Sequence, residues 1–316
     1  MKKNIAIDIG GTKILGVSFD EKNKMIDRAK RPTKTHKGID EVISRLFKVI
    51  DSVEENKDNI NAIGAGVPGI IKKGVIIFTP NLPLSGFNLK KTLEEKYNVP
   101  VYVGNDANTS LLGEWKFGGL DKYKNVIGYF VGTGVGGGMI LNGKLYTGSM
   151  GGAGEIGHTI VDPAGPFCGC GNQGCLEAFS SKTGIFQYIM AQKRKGRKSI
   201  LINDVDPEKN IFKSSILENA LNENDELAEE IIDKVCYYLG VSSANMINLL
   251  NPDKIVFGGG LIESLGEKML PLIKHYAKMY SILRLYDDNI FTLTSLGDDA
   301  CIYGALTLIE NPEVQD

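Results

Sequence analysis

The sequence predicts a duplicated α/β fold of two domains. A chain of 316 residues is longer than one hydrophobic core comfortably serves. A strand, a glycine turn and a returning strand occur near residue 10 and again near residue 134. Each is followed by further strand and helix patterns, so each half mixes a sheet with helices, and a cleft between the halves is expected.

Asn4 to Ile9 is a short apolar strand carrying Asp8 near its end. Gly10-Gly11-Thr12-Lys13 reads as a turn and Ile14 to Phe19 as the returning strand. This hairpin is neither a Rossmann fingerprint nor a Walker loop, since both of those pass from strand to helix. Ile39, Val42, Ile43, Leu46, Phe47, Ile50 and Val53 recur at helical spacing with charges between them. Strands follow at Ala62 to Val67 and Val99 to Val103. The second hairpin covers Asn125 to Leu141, with Gly132 to Gly138 as its turn. Glu226 to Leu250 is a long helical pattern stopped by Asn251-Pro252. Strand Lys254 to Phe257 then runs into Gly258-Gly259-Gly260.

With 36 basic against 38 acidic side chains, the formal charge of −2 gives no reason to expect nucleic acid or an acidic membrane as partner. The N-terminal apolar run is too short for a signal peptide and Asp8 interrupts it. No uncharged stretch approaches the ~20 residues of a membrane-spanning helix. Five cysteines, three of them clustered, suit a reducing cytoplasm and a metal site better than a disulfide scaffold. A cytoplasmic protein is expected.

His158, Cys168, Cys170 and Cys175 match the number and type of ligands that close a tetrahedral zinc site. Reactive or disulfide-forming thiols are the alternative. Glu155 and Glu177 bracket the set without being needed to complete it. A loop folded by zinc would hold these two carboxylates near a polar ligand, and Gly169, Gly171 and Gly174 permit its tight reversals. A metal-bound His158 keeps its second ring nitrogen for that ligand. His36 and His275, in polar surroundings, read as surface residues.

The first glycine turn offers backbone N–H groups, a hydroxyl and a positive charge to phosphate oxygens. Asp8 would repel phosphate directly, so it is expected to act through hydrated Mg²⁺. A plain hairpin with a solvated lysine is the alternative. The second turn packs five glycines into seven residues. Glycine in a strand costs up to about 1 kcal/mol relative to alanine. A structural hairpin needs only one or two, so close approach of a ligand explains the excess better. Gly258-Gly259-Gly260 would admit a flat ring such as adenine. Asp106 lies between a strand and a helical pattern containing Leu111, Leu112 and Trp115. It reads either as a base at a strand end or as a helix N-cap.

Asp8 to Lys13, Gly104-Asn105-Asp106-Ala107-Asn108, Gly132 to Gly138, Glu155-Ile156-Gly157-His158 and the run Cys168 to Glu177 together resemble the ROK family of sugar kinases and repressors. Among its members the chain is most similar to the bacterial glucokinases. The resemblance implies the actin-like (RNase H-like) ATPase fold. Residues 1–117 plus 303–316 would form a small N-terminal α/β domain and 118–302 a large C-terminal one.

By the same resemblance, Asp106 is the base, and Asn81, Asn105, Asp106, Glu155, His158 and Glu177 bind the sugar. Asp8, Gly10, Gly11, Thr12, Lys13, Gly132, Thr133, Gly134, Gly258 and Gly259 hold the nucleotide. The implied reaction is ATP-dependent phosphorylation of a hexose 6-hydroxyl, with Mg²⁺ and structural Zn²⁺, in a homodimer or tetramer. Glucose is the first-choice substrate; N-acetylglucosamine, N-acetylmannosamine and fructose are alternatives, as is polyphosphate for the donor. The family's repressors carry a helix-turn-helix ahead of the first glycine turn. Here only seven residues precede Asp8, so a kinase is expected. Asp299 to Gly304 matches another family segment, with Cys301 in place of the usual glycine.

Overall fold

A computed structural model describes residues 2–206, 208 and 212–312. The chain begins β1 (Lys3–Ile9), β2 (Lys13–Phe19), β3 (Met25–Pro32), α1 (Ile39–Val53), β4 (Ile60–Val67), β5 (Ile70–Lys72) and β6 (Val75–Phe78). Next come β7 (Phe87–Asn88), α2 (Leu89–Tyr97), β8 (Val101–Asn105), α3 (Asp106–Phe117), β9 (Val126–Val131), β10 (Val135–Leu141) and β11 (Lys144–Leu145). Helices α4 (Leu176–Ser180), α5 (Lys182–Arg194), α6 (Ile200–Asp204), α7 (Ser214–Asn222) and α8 (Glu226–Leu250) follow. The chain closes with β12 (Lys254–Gly258), α9 (Ile262–Tyr280), β13 (Phe291–Leu293) and α10 (Ala300–Glu310). Among the described residues no helix is long and apolar enough to cross a membrane.

The chain divides into two compact units. The first holds Met1–Lys124, Gly138–Gly154 and Asp298–Asp316; the second holds Asn125–Gly137 and Glu155–Gly297. In the first, the sheet order is β3-β2-β1-β4-β8. Its first three strands are antiparallel, and β4 and β8 run parallel to β1.

Both faces of this sheet are covered, which suits its runs of β-branched residues. Ile5, Ile7 and Ile9 of β1 pack with Val42, Leu46, Val49, Ile50 and Val53 of α1. Successive strand side chains point to opposite faces. Ala6 of β1, with Leu15, Val17 and Phe19 of β2, therefore meets Ile302, Ala305 and Leu306 of α10. Each such Ile or Leu contributes about 1.5–3 kcal/mol on full burial.

The second sheet has the order β11-β10-β9-β12-β13, with β12 parallel to β9 and to β13. Each sheet is thus three successive strands followed by two parallel ones, in the order 3-2-1-4-5. That shared plan is the duplication implied by the two glycine turns. The second turn is shorter than expected. Gly132 N–H closes on Gly134 O at 2.8 Å, so three residues suffice, and Gly136, Gly137 and Gly138 lie within β10. Helix α8 spans the residues expected of it. Asp225 caps its start through Ala228 N at 3.0 Å, and Asn251 ends it at φ 42°, ahead of Pro252.

Candidate active site

Parallel register sets Asp8 of β1 beside Gly66 of β4, and Gly66 beside Gly104 of β8. The C-terminal edge of the first sheet therefore gathers Asp8, the turn 10–12, and Asn105 and Asp106 where β8 passes into α3. Ligands of open α/β sheets bind at such edges. Thr33 braces the turn, its hydroxyl donating to Gly10 O at 2.6 Å and its N–H to Thr12 O at 2.9 Å. Both carbonyls are thereby occupied, which removes two acceptors that would repel a phosphate. Lys13 is the first residue of β2 rather than part of the turn, and its Nζ lies 3.3 Å from Asp298 Oδ2. Exposed pairs of this kind are worth about 0–1 kcal/mol, so this one would give way to a multiply charged anion.

The choice between base and cap at Asp106 falls on its neighbour. Asn105 holds the N-cap position, accepting from Asn108 N at 3.0 Å through Oδ1 and donating to Gly69 O at 3.0 Å through Nδ2. Asp106 is the first residue of α3, with Oδ1 accepting from Ala107 N at 2.9 Å. Its carboxylate lies in the first helical turn, where the helix dipole favours negative charge. Asn81 is exposed on the loop between β6 and β7, whose start Ser85 pins by accepting from Thr79 N at 3.1 Å. The Asn81 Cβ lies 3.4 Å from the point a β-carbon on Gly11 would occupy, so this loop runs beside the first turn.

Cys301 fills a space that only a glycine at residue 66 leaves open, since a β-carbon there would lie 2.3 Å from Sγ. The thiol is buried beside Asp8 and Ser110, and its one hydrogen faces the Asp8 carboxylate. Burial raises the Asp8 carboxyl above its ordinary range. Lys13 and then the Cys301 hydrogen bond pull it down, while Asp298 pushes it up. Burial, then the charges of Asp8 and Asp106, push the Cys301 thiol well up, so it acts as a neutral donor. Cys301→Ala is expected to cost about 1.5–3 kcal/mol of unfolding free energy in urea titrations, the worth of a hydrogen bond to a charged group. Cys301→Ser should recover most of that loss; equal losses in both variants would show that the thiol acts by volume alone.

In the second unit, His158, Cys168, Cys170 and Cys175 turn their ligand atoms toward one another, all within 4.8 Å. Cys170 and Cys175 sulfurs are 3.7 Å apart, and Cys168 Sγ is 3.7 Å from His158 Nδ1. Zinc–sulfur bonds of about 2.3 Å in a tetrahedron give edges of about 3.8 Å, so the donor set and its spacing fit Zn²⁺. Nδ1 is the ring nitrogen on the sulfur side, which leaves Nε2 for a ligand. Burial raises the thiols of Cys168 and Cys175, whereas the backbone N–H of Asn172 lowers that of Cys170.

Along the chain, His158 lies three residues from Glu155 and Cys175 two from Glu177. Glu155 leads into the short 3-10 turn that bears His158, and Cys175 occupies the N-cap position of α4, whose second residue is Glu177. Leu176 N–H to Thr159 O, at 3.0 Å, ties the two segments together. Burial raises the Glu155 carboxyl; His158 opposes this and Glu177 adds to it. The charges of His158 and Glu177 thus both reach Glu155.

Glu177 also reaches the second glycine turn. Its Oε2 accepts from Val135 N at 2.9 Å, and its Oε1 lies 3.5 Å from Cys168 Sγ. A β-carbon on Gly134 would sit 2.4 Å from that Oε2, so this glycine makes room for a protein carboxylate. The turn is braced by α5: Lys182 N–H donates to Gly132 O at 2.9 Å, and Thr183 Oγ1 to Thr133 O at 2.9 Å. Gly258 is the last residue of β12 and Gly259 follows it directly, and Leu261 N–H returns to Val131 O at 3.0 Å.

The sequence signature of the ROK family matches residues 4–311. The chain belongs to the ROK family. It is 35% identical to the glucokinase of Halalkalibacterium halodurans, over 98% of this chain and 95% of the other. It is also 29% identical to the xylose repressor of Bacillus subtilis, over 97% of this chain and 76% of the other. Among solved structures, a ROK family glucokinase from Streptomyces griseus in complex with glucose and AMPPNP superposes with a TM-score of 0.82. That match is at 28% identity and covers 97% of this chain and 98% of that one. The fold is the actin-like ATPase fold of that family.

Sequence reasoning missed three residues of this ROK site. Thr33 and Thr183 each brace a glycine turn, and Lys182 does so through its main chain. They lie 23 and 50 residues from the turn residues they bind in the case of the two threonines. No local motif marks a threonine for such a bond.

Proposed function

We propose that the protein transfers the γ-phosphoryl group of ATP to the 6-hydroxyl of a hexose, glucose first, with Asp106 as base. The observation that carries this reading is the division of labour between Asn105, which caps α3, and Asp106, whose carboxylate stays at the sheet edge shared with Asp8. Similarity to glucokinases along nearly the whole chain supports it.

A sugar hydroxyl is a far weaker acid than a carboxylic acid, whose reference pKa in Asp is about 3.9. Asp106 therefore orients the hydroxyl and takes its proton late, as the phosphoryl group leaves ADP. Help of this kind is worth roughly 10²–10⁴ in rate, or about 3–5 kcal/mol. Glu155, Glu177 and His158 Nε2 would accept from or donate to sugar hydroxyls, with Asn81 and Asn105 completing the set. Turns 10–12 and 132–134, with Lys13, would hold the phosphates, and Gly258 and Gly259 the adenosine. Asp8, a half-buried carboxylate beside Lys13, is a hard oxygen donor that suits hydrated Mg²⁺, which when bound neutralises phosphate charge. Zn²⁺ on the His158 and cysteine set would be structural, fixing the segment that bears the two glutamates.

ADP release is expected to be fastest with glucose in a coupled assay across glucose, N-acetylglucosamine, N-acetylmannosamine, mannose and fructose, with polyphosphate tried in place of ATP. A flat response to every sugar and donor, alongside calorimetric sugar binding, would favour instead a sugar-sensing role like that of the xylose repressor relative.

A further inference from the structure

We infer that the Lys182 ammonium binds the phosphate chain of the nucleotide, where the two glycine segments of the second unit meet. This rests on the kinase reading, and it adds a residue that the glycine motifs themselves do not contain. Lys182 opens α5, whose N-terminus Ser181 caps through Gly184 N at 3.0 Å. Its main chain is fixed to the turn 132–134 by the bond to Gly132 O. Its side chain reaches the other segment, where Nζ lies 3.2 Å from the point a β-carbon on Gly260 would occupy. Leu261 N–H to Val131 O holds that second segment against the end of β9, directly before the turn.

The surroundings are prepared for an anion. Carbonyls of Gly132 and Thr133 are drawn onto α5, and Gly134 O onto Gly132 N–H. Gly260 O accepts from Ser214 Oγ at 2.7 Å. Four backbone acceptors that would repel phosphate are thereby occupied, and the cation remains. Lys182 is half-buried, and burial lowers its ammonium, with Glu263 as the acidic group that opposes this. A cation losing hydration in this way gains most from a multiply charged partner. Glu263 supplies one negative charge; a nucleoside di- or triphosphate supplies several.

Calorimetric titration of the full-length protein with ADP and with adenosine separates a phosphate contact from a structural role. Lys182→Gln is expected to lower ADP affinity at least tenfold while leaving adenosine affinity within twofold. Lys182→Arg should keep most of the ADP affinity. Parallel loss of ADP and adenosine binding, or none of either, would overturn the inference and leave Lys182 as a brace for α5. Wild-type protein that bound no nucleotide would overturn the kinase reading along with it, an outcome distinct from normal wild-type binding with an unaltered variant.

Discussion

Asp106→Asn is expected to lower kcat by about 10²–10⁴ while leaving the sugar and ATP KM values nearly unchanged. The substitution keeps the size of the side chain and an oxygen that can still accept from Ala107 N–H. What it removes is the lone-pair basicity that, on the proposed mechanism, would take the hydroxyl proton as phosphoryl transfer proceeds. Because Asn105 supplies the α3 cap, the helix start survives the change, and the melting temperature should stay within about 2 °C of wild type. Steady-state kinetics and thermal unfolding on one preparation test both halves. A kcat within tenfold of wild type, in a protein of unchanged stability, would remove Asp106 from the role of base.

That Asn105 rather than Asp106 caps α3 could not be read from the sequence. Both residue types cap helices well, and they are adjacent. The decision rests on backbone geometry: Asn105 adopts φ −65°, ψ 143°, extended at the end of β8, and Asp106 is already helical. Where signals are local, the sequence was legible to within a residue or two. Helices α1 and α8 carry clear apolar periodicity, with an Asp cap and an Asn-Pro stop marking the ends of α8. The cluster of His158 with three cysteines was legible for the same reason, since the four residues lie within 18 positions of one another.

Elements defined by tertiary context were not legible. Strand β3, Met-Ile-Asp-Arg-Ala-Lys-Arg-Pro, is a largely exposed edge strand whose charges and terminal proline guard against further pairing. Helix α10 is buried nearly all round, so it lacks the polar stripe that marks an amphipathic helix. Helix α9 contains Pro271, a residue that argues against a continuous helix. Gly136, Gly137 and Gly138 extend the glycine run of the second turn but belong to β10. Glycine content alone does not report where a strand begins.

Removing zinc, by a chelator or by Cys175→Ser, is expected to raise the sugar KM at least tenfold. Cys175 is both a member of the candidate metal set and the residue at the N-cap of α4, and Glu177 follows two positions later. His158 in turn follows Glu155 by three. Loss of the metal therefore releases both carboxylates and the imidazole together. Each hydrogen bond to a charged group that is no longer held in place is worth about 1.5–3 kcal/mol, or about 10–150-fold in affinity. Nucleotide affinity should fall less. The turn 132–134 loses only the Glu177 anchor on Val135 N–H and keeps its bonds to Lys182 and Thr183 of α5. Sugar KM and ADP affinity measured on the same metal-depleted sample, before and after Zn²⁺ is restored, give the comparison. A sugar KM that stays put, or a loss of ADP affinity as large as that for sugar, would mean the metal does not serve to position Glu155, His158 and Glu177. Such an asymmetry would be the physical signature of a loop that holds hydroxyl-reading groups still, while the turn 132–134 draws its rigidity from a separate helix.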